Sequence, residues 1–257
     1  MALDPELSTA RAPRARRAIV GEFGRLVRAA HAGWNSGRRP WLAVLLSLAS
    51  IAVALLIHAH VARPELWRSG DVYAALPLST ELARLPMSLF MPTAYLPLWG
   101  AVAQLAVVIG LGEIILGRSA TVLVAAAGHF GSTLLARVLL DTPHVHILGL
   151  TPALAHVLDT GPSGATTAVG ACLLVSLRMN RAAFLLFLGL AIAGVVAPGL
   201  DALEHGVALF AGLSAGVMLR WMYLRPARRA WTGPYSSRAL RWLHQRRPGI
   251  VALRERR

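Results

Sequence analysis

The stretch DTGPSGATTAVGACLLVSL, residues 159–177, decides how this chain folds. It is apolar, and small residues recur at every fourth position, at Gly164, Ala168 and Cys172. Inside a bilayer, a stripe of small residues lets two helix backbones approach closely. The pattern therefore predicts a membrane helix that packs tightly against another helix. Its Gly-Pro-Ser-Gly start places a serine, Ser163, in the first turn.

A second stretch, DALEHGVALFAGLSAGVML at residues 201–219, has the same spacing of small residues. These are Ala208, Gly212 and Gly216. His205 precedes Ala208 by three positions and lies on the same stripe. The two stripes are predicted to face each other, which would bring Ser163 and His205 together.

The composition indicates a polytopic membrane protein, because 56% of the 257 residues are hydrophobic and the mean hydropathy is +0.56. We predict an all-α bundle of six transmembrane helices within a membrane domain at 41–223. It is flanked by basic segments at 1–40 and 224–257. The predicted spans are 41–61, 85 or 95 to 116, 120–140, 159 or 161 to 177, 182–196 and 203–223.

The net charge of +14 comes from arginine alone, since the chain has no lysine. Eight arginines lie in residues 1–40 and ten in 225–257, so they flank apolar spans, as the positive-inside rule requires of cytoplasmic segments. This distribution predicts a multi-pass plasma-membrane protein with both termini in the cytoplasm, and it argues against a nucleic-acid partner. Residues 16–31 have the pattern of a basic amphipathic helix, which could lie on an anionic inner leaflet or form a solvated tail.

Polar groups in membrane helices suggest a functional role. A serine hydroxyl becomes a nucleophile when a base removes its proton, and histidine can do this near neutral pH. Backbone N–H groups of Ser163 and Gly164, at the helix start, could stabilise an oxyanion, and Asp159 or Thr160 could cap this helix. Asp201, four residues before His205, could orient the imidazole, but a simple carboxylate of the outer loop is the preferred interpretation.

Several motifs together resemble the rhomboid family of intramembrane serine proteases. The family's nucleophile motif matches Gly161, Ser163 and Gly164, and its sixth-helix motif matches His205, Gly212 and Gly216. The family's entry to the second helix is similar to Arg84, Leu85, Ser88, Leu89, Phe90 and Met91, and its Glu-x-x-x-Gly fits Glu113 and Gly117. The resemblance implies a six-helix core with Ser163 as nucleophile and His205 as base, and no cofactor. Its substrates would be transmembrane proteins, cleaved near the outer membrane face.

One part of the family pattern differs here. The His-x-x-x-Asn of the family's second helix, which lines the oxyanion hole, falls on Pro97 and Ala101, and neither side chain donates a hydrogen bond. The resemblance is therefore to a divergent branch, in which Gln104, Tyr95 or His129 could replace the missing donors. The alternative function is a catalytically weak or inactive protein that binds or escorts membrane proteins. A transporter is a third hypothesis, but the paired broken helices of transporters are missing from the sequence.

The remaining histidines and acids have simpler interpretations. His129, in the middle of a span, is expected to face the bundle interior, with either a structural hydrogen bond or a role in the site. The loop histidines His144, His146 and His156 could bind a metal, but His-x-His in a loop is usually solvated, so we expect no metal site. Glu113 and Arg118 are expected to form an ion pair at the inner interface.

Overall fold

The computed structural model describes residues 5–60, 63–92, 97–142 and 151–230. In this part of the chain the regular structure is helical and no strand is present, which confirms the all-α part of the predicted fold class. The helices are α1 Pro5–Asn35, α2 Trp41–His58, α3 Arg63–Gly70, α4 Leu78–Ser88, α5 Leu98–Ile115, α6 Arg118–Leu140, α7 Ser163–Ser176, α8 Asn180–Val196 and α9 Leu200–Ala230. A 3₁₀ turn at Pro152–His156 precedes α7.

Four of these helices are long and apolar enough to cross a membrane: α2, α5, α6 and residues Leu200–Met222 of α9. Helices α7 and α8 are apolar but have only 14 and 17 residues. Large apolar side chains such as Leu123 and Phe210 are about 70% exposed, as expected where helices face lipid. The chain is therefore membrane-embedded. The tail from residue 231 lies outside the described residues.

The start of α5 differs from both predicted starts of the second span. Residues 78–88 form the separate helix α4, and α5 begins at Leu98 after Pro97. Proline at this position suits a helix start because its missing N–H would have no partner there. A wide π-helical turn at Leu105–Ile109 interrupts α5, which otherwise continues to its end.

Helix α7 lies at the centre of the bundle, packed between α6 and α9. Most of its residues are buried, including Ala168 and Cys172. A Cβ atom built on Gly212 or Gly216 of α9 would collide with the backbone of Ala168 or Cys172. The α9 stripe therefore packs on α7 as the sequence predicts.

The α7 stripe is divided between two neighbours. A Cβ atom on Gly164 would meet Ser132 Oγ at 3.1 Å, and one on Gly128 would collide with Ala168. Thus Gly164 contacts α6, where the sequence analysis expected α9. The contact at Gly128 depends on glycine, because an added Cβ atom would also lie 2.8 Å from the Gly164 carbonyl oxygen.

Buried charges hold the helix ends in place. At one end of the bundle, Glu113 is 2% exposed, accepts the Ala43 N–H at 2.8 Å and pairs with Arg118 Nε at 3.0 Å, which confirms the predicted ion pair. At the other end, Arg137 of α6 pairs with the buried Glu81 of α4 and donates to the Leu76 carbonyl at 2.6 Å. This second pair attaches the segment between α2 and α5 to the bundle.

Candidate functional site

Ser163 is the first residue of α7 and is half-buried. The helix cap is Pro162, and the first α7 N–H with a backbone partner is that of Thr166, which donates to Pro162 at 2.9 Å. The three preceding N–H groups, beginning with that of Ser163, have no such partner among the described residues. They are available to an anionic group at the end of the helix.

The segment before Ser163 is held by three hydrogen bonds to the chain between α3 and α5. Asp159 N–H donates to Val72 at 2.8 Å, Thr160 Oγ1 to Pro92 at 3.4 Å, and Gly161 N–H to Ser88 at 2.8 Å. Gly161 has a φ of 106°, which favours glycine. The expectation that Asp159 or Thr160 caps the helix is wrong, because neither side chain bonds to an α7 N–H.

His205 lies on α9 at nearly the same depth as Ser163. Gly212 lies against Ala168 and Gly216 against Cys172, so residues of the two parallel helices pair with an offset of 44 positions. With this offset His205 lies two residues above Ser163, or about 3 Å along the axis.

No hydrogen bond joins the Ser163 hydroxyl to His205 in this structure, although both side chains are described. His205 is half-buried, and Asp201 is exposed. Asp201 and His205 are likewise not hydrogen-bonded. The structure thus places Ser163 and His205 at similar depth on closely packed helices, without a hydrogen bond between them.

Gln104 lies on the side of α5 that faces α7. Its Oε1 accepts a hydrogen bond from Thr166 Oγ1 at 2.9 Å, one turn below Ser163. Thr166 and Gln104 are 62 positions apart. Gly170 and Val108 are also 62 positions apart, and a Cβ atom built on Gly170 would lie 3.8 Å from Val108, so the two pairs define one register between α5 and α7. Extended by one turn, this register places Ala101 at the depth of Ser163. Pro97 lies beyond it at the exposed start of α5, and Tyr95 lies outside the described residues.

His129 is buried in α6, as expected for a mid-span histidine. Its Nε2 lies 3.0 Å from Ser88 Oγ and 3.2 Å from the Leu85 carbonyl oxygen, and Ser88 Oγ also donates to Leu85 at 2.9 Å. A carbonyl only accepts hydrogen bonds, so the contact with Leu85 requires the His129 tautomer that is protonated at Nε2. The contact supports the structural interpretation of His129, because it fixes Ser88, whose carbonyl holds Gly161.

Two acidic side chains near the starts of α7 and α9 have surroundings that the sequence did not predict. Asp159 accepts from Thr133 Oγ1 at 2.5 Å, and Glu204 is 8% exposed, with one carboxyl oxygen that has no partner among the described residues. One indication of this was present in the sequence, because Glu204 lies in the first turns of an apolar helix, where a charged residue is expected to face the interior of the bundle.

Two carboxyl groups outside the spanning helices have shifted pKa values. Burial raises the pKa of Asp71, and the charge of Arg84 opposes this shift. Burial also raises the pKa of Glu81, although the hydrogen-bonded Arg137 guanidinium lowers it in part. Both shifts mean that the folded protein binds protons more tightly than the unfolded chain.

The described residues contain no cluster of three or more metal-ligating side chains. His156 lies in the 3₁₀ turn with its ring centroid 6.4 Å from that of Tyr73, while His144 and His146 lie outside the described residues. An open groove of about 450 Å³ between α2 and the start of α5 is lined by residues that include His58 and Pro92. Neither Ser163 nor His205 lines it.

A comparison with models of known protein families, with curated proteins and with solved structures found no match to this chain. What the chain does must therefore be inferred from its own residues and their geometry.

Proposed function

We propose that this chain is an intramembrane serine hydrolase of the rhomboid type, in which Ser163 and His205 form the catalytic dyad. The observation that supports it best is the common depth of the two residues on α7 and α9, whose backbones meet at Gly212 and Gly216. The short apolar helices α7 and α8 would complete six spans with the four longer ones. A closer approach of the imidazole is needed for reaction, and resting sites often have such loose geometry.

The reaction would cleave a peptide bond of a transmembrane protein. Ser163 Oγ attacks the carbonyl carbon while a His205 ring nitrogen takes the hydroxyl proton, and the same nitrogen then gives this proton to the departing amine. Water then hydrolyses the acyl-enzyme ester, with His205 again as base. The free N–H groups at the start of α7 would stabilise the oxyanion.

The side-chain part of the oxyanion site is weak. Ala101, at the depth of Ser163, has no donor, and Gln104 lies a turn lower with its carbonyl bonded to Thr166. The loss of one oxyanion donor typically reduces the rate about 10²–10³-fold. We therefore expect slow hydrolysis, which Ala101→Asn should accelerate.

Arginine distribution supports the plasma membrane as location and a cytoplasmic position for both termini. Arg178 lies in the turn after α7, and Arg118 and Arg181 lie in the first turns of the helices that follow α5 and α7, so these helix ends would be cytoplasmic. Ser163 and His205 would then lie near the outer face, and cleavage would occur there.

A second function is a protein that binds or escorts membrane proteins without cleaving them. It is favoured by the missing Ser163–His205 hydrogen bond and by the apolar residue at position 101.

Labelling with a serine-directed fluorophosphonate distinguishes the two functions. The wild-type protein in detergent should be labelled slowly, and both Ser163→Ala and His205→Ala should abolish the label. Ser214→Ala, which changes an exposed serine of α9, is the matched control and should label like the wild type. Equal labelling of wild type and Ser163→Ala would exclude the dyad and favour the non-catalytic function.

A further inference from the structure

Helix α1 is held across the ends of α5 and α7. The Glu22 carboxylate accepts two backbone N–H groups at the start of α8, each at 3.1 Å. Arg25 donates to two carbonyl oxygens just beyond the end of α7, at 3.1 and 2.9 Å. Further along α1, a Cβ atom built on Gly33 would collide with the backbone of Ile114 in α5. These contacts fix both the position of α1 and its rotation about its own axis.

Four large apolar side chains of α1 lie together on its exposed side. Val20, Phe23, Val27 and Trp34 are 64%, 63%, 50% and 47% exposed. At about 100° per residue they fall within about 60° of one another, and we call them the apolar stripe. The stripe lies about 140° around the helix from the residues that hold α1 in place. It therefore points away from the helix ends, toward the water on that side of the membrane.

The apolar stripe has the properties of a surface that binds a helix. Exposed apolar patches mark sites of interaction with proteins or membranes, and this one points away from the bilayer. Its spacing of three, four and seven residues is that of a helix whose apolar side faces a second helix. From Val20 to Trp34 it is about 21 Å long, which corresponds to about four turns of a partner helix. Because α1 is already fixed, binding does not have to order it.

The surface around the apolar stripe is basic. Arg28 is exposed beside the stripe, and the Arg39 guanidinium stacks on the Trp34 ring, 4.2 Å from its centroid. Residues 19–40 contain a single acid, Glu22, which is buried and bonded to α8. A partner that covers the stripe is therefore favoured if it places negative charge opposite these arginines.

Two occupants from this chain itself have the wrong charge. The C-terminal segment 231–257 contains seven arginines and one glutamate. A second copy of the chain would bring its own Arg28 and Arg39 to the stripe. Like charges that meet across an interface oppose association, so the charge favours a different and acidic protein.

We propose that the apolar stripe of α1 binds an acidic amphipathic helix of a partner protein. Apolar side chains of the partner would lie on Phe23 and Val27, and its carboxylates would pair with Arg28 and Arg39. The stripe has far fewer residues than the roughly 20–30 on each side of a standard stable interface, so we expect an affinity in the micromolar range. This binding is independent of any catalytic role of Ser163.

Fluorescence anisotropy of a labelled synthetic peptide tests the proposal on the full chain in phosphatidylcholine nanodiscs. The probe is a helical peptide of about four turns, with leucine spaced by three and four residues and glutamate at the other positions. The same peptide with lysine in place of glutamate should bind at least about tenfold more weakly. Nanodiscs without protein measure the binding to lipid alone. Equal binding of the two peptides, or no binding of the acidic peptide above that to lipid, would overturn the proposal.

Variants of the protein show whether the apolar stripe is the surface that binds. Phe23→Ser should weaken binding of the acidic peptide at least about tenfold. Phe23→Leu is the matched control, because it keeps an apolar side chain, and it should bind like the wild type. Arg28→Gln combined with Arg39→Gln should remove the preference for the acidic peptide over the basic one. Unchanged binding in Phe23→Ser would contradict the proposal.

Two further measurements detect the other occupants. A peptide with the sequence of residues 236–247, from the basic C-terminal segment, should not bind. If it binds as tightly as the acidic peptide, the stripe belongs to the chain's own tail. A disulfide between two copies of the variant Phe23→Cys, Cys172→Ser would assign the stripe to a second copy. Either result would overturn the proposal.

Discussion

Gly212→Ala tests the packing that brings α7 and α9 together. The added methyl group would lie 2.8 Å from the Cα and carbonyl carbon of Ala168, and closer still to its oxygen. Ordinary contact begins at 3.4 Å, and the contact of 2.1 Å with the Ala168 oxygen is about 1.3 Å shorter, so the backbones must separate by roughly 1 Å. Overpacking of this kind costs about 1–3 kcal/mol, and backbone atoms cannot rotate away as a side chain can.

The matched control is Gly206→Ala on the same helix, where an added Cβ atom would meet nothing within 4 Å. There the change should raise the free energy of unfolding by up to about 1 kcal/mol, because alanine favours the helix over glycine. The two alanine variants should thus shift stability in opposite directions, with a difference of about 2–4 kcal/mol.

Unfolding in mixed micelles with increasing SDS, followed by tryptophan fluorescence, measures this difference. Gly216→Ala should fall between the two variants, because its nearest backbone contact is 2.9 Å, to the Cys172 oxygen. If Gly212→Ala is as stable as Gly206→Ala, α7 and α9 do not pack through their glycines and the register that aligns Ser163 with His205 fails.

Further predictions concern the buried charges and the topology. Arg137→Met leaves the buried Glu81 carboxylate without its cation, so SDS unfolding near pH 7 should show a free energy of unfolding that is lower by about 3–5 kcal/mol. This loss should become smaller as the pH falls, because Glu81 then takes up a proton. Because burial raises the pKa of Glu81, the wild-type protein should lose stability as the pH rises through that pKa and Glu81 ionises. Glu81→Gln should weaken this pH dependence of stability, and an unchanged pH profile would contradict the role given to Glu81. Glu22→Ala should lower the free energy of unfolding by about 1 kcal/mol, since two N–H groups of α8 lose their acceptor. Reporter fusions at residue 150 and at the C-terminus should report opposite sides of the membrane, and the same side for both would exclude six spans.

The sequence predicted the apolar helices and one of their contacts, but four of the described helices, and not six, are long and apolar enough to cross a membrane. Alternating runs of apolar residues and arginine-bearing turns locate membrane helices because hydrocarbon excludes charge. The α9 stripe of Gly212 and Gly216 also identified its partner correctly. Small residues surround α7 on several sides, however, so the sequence alone did not show that Gly164 contacts α6.

The polar contacts around the candidate site were harder to predict from the sequence than the helices were. Ser88 and His129 are 41 positions apart, and no local spacing rule links residues of two different helices. Asp159 was considered as a helix cap because of its position before Ser163. In the structure its carboxylate accepts a hydrogen bond from Thr133 of α6, and this tertiary contact overrides the local preference of aspartate for a helix cap.

The central position of α7 also has a consequence for biosynthesis. The helix is only about 21 Å long, against a hydrocarbon thickness of about 30 Å, and it enters the membrane before its partner α9 has been made. About 40 residues separate Cys172 from Gly212, which corresponds to roughly 2–8 s of translation. During that interval the smooth face of α7 has no partner, so a nascent chain that stops before residue 200 should be retained by the insertion machinery and degraded. Translation of α9 should therefore end the period in which this face of α7 has no partner.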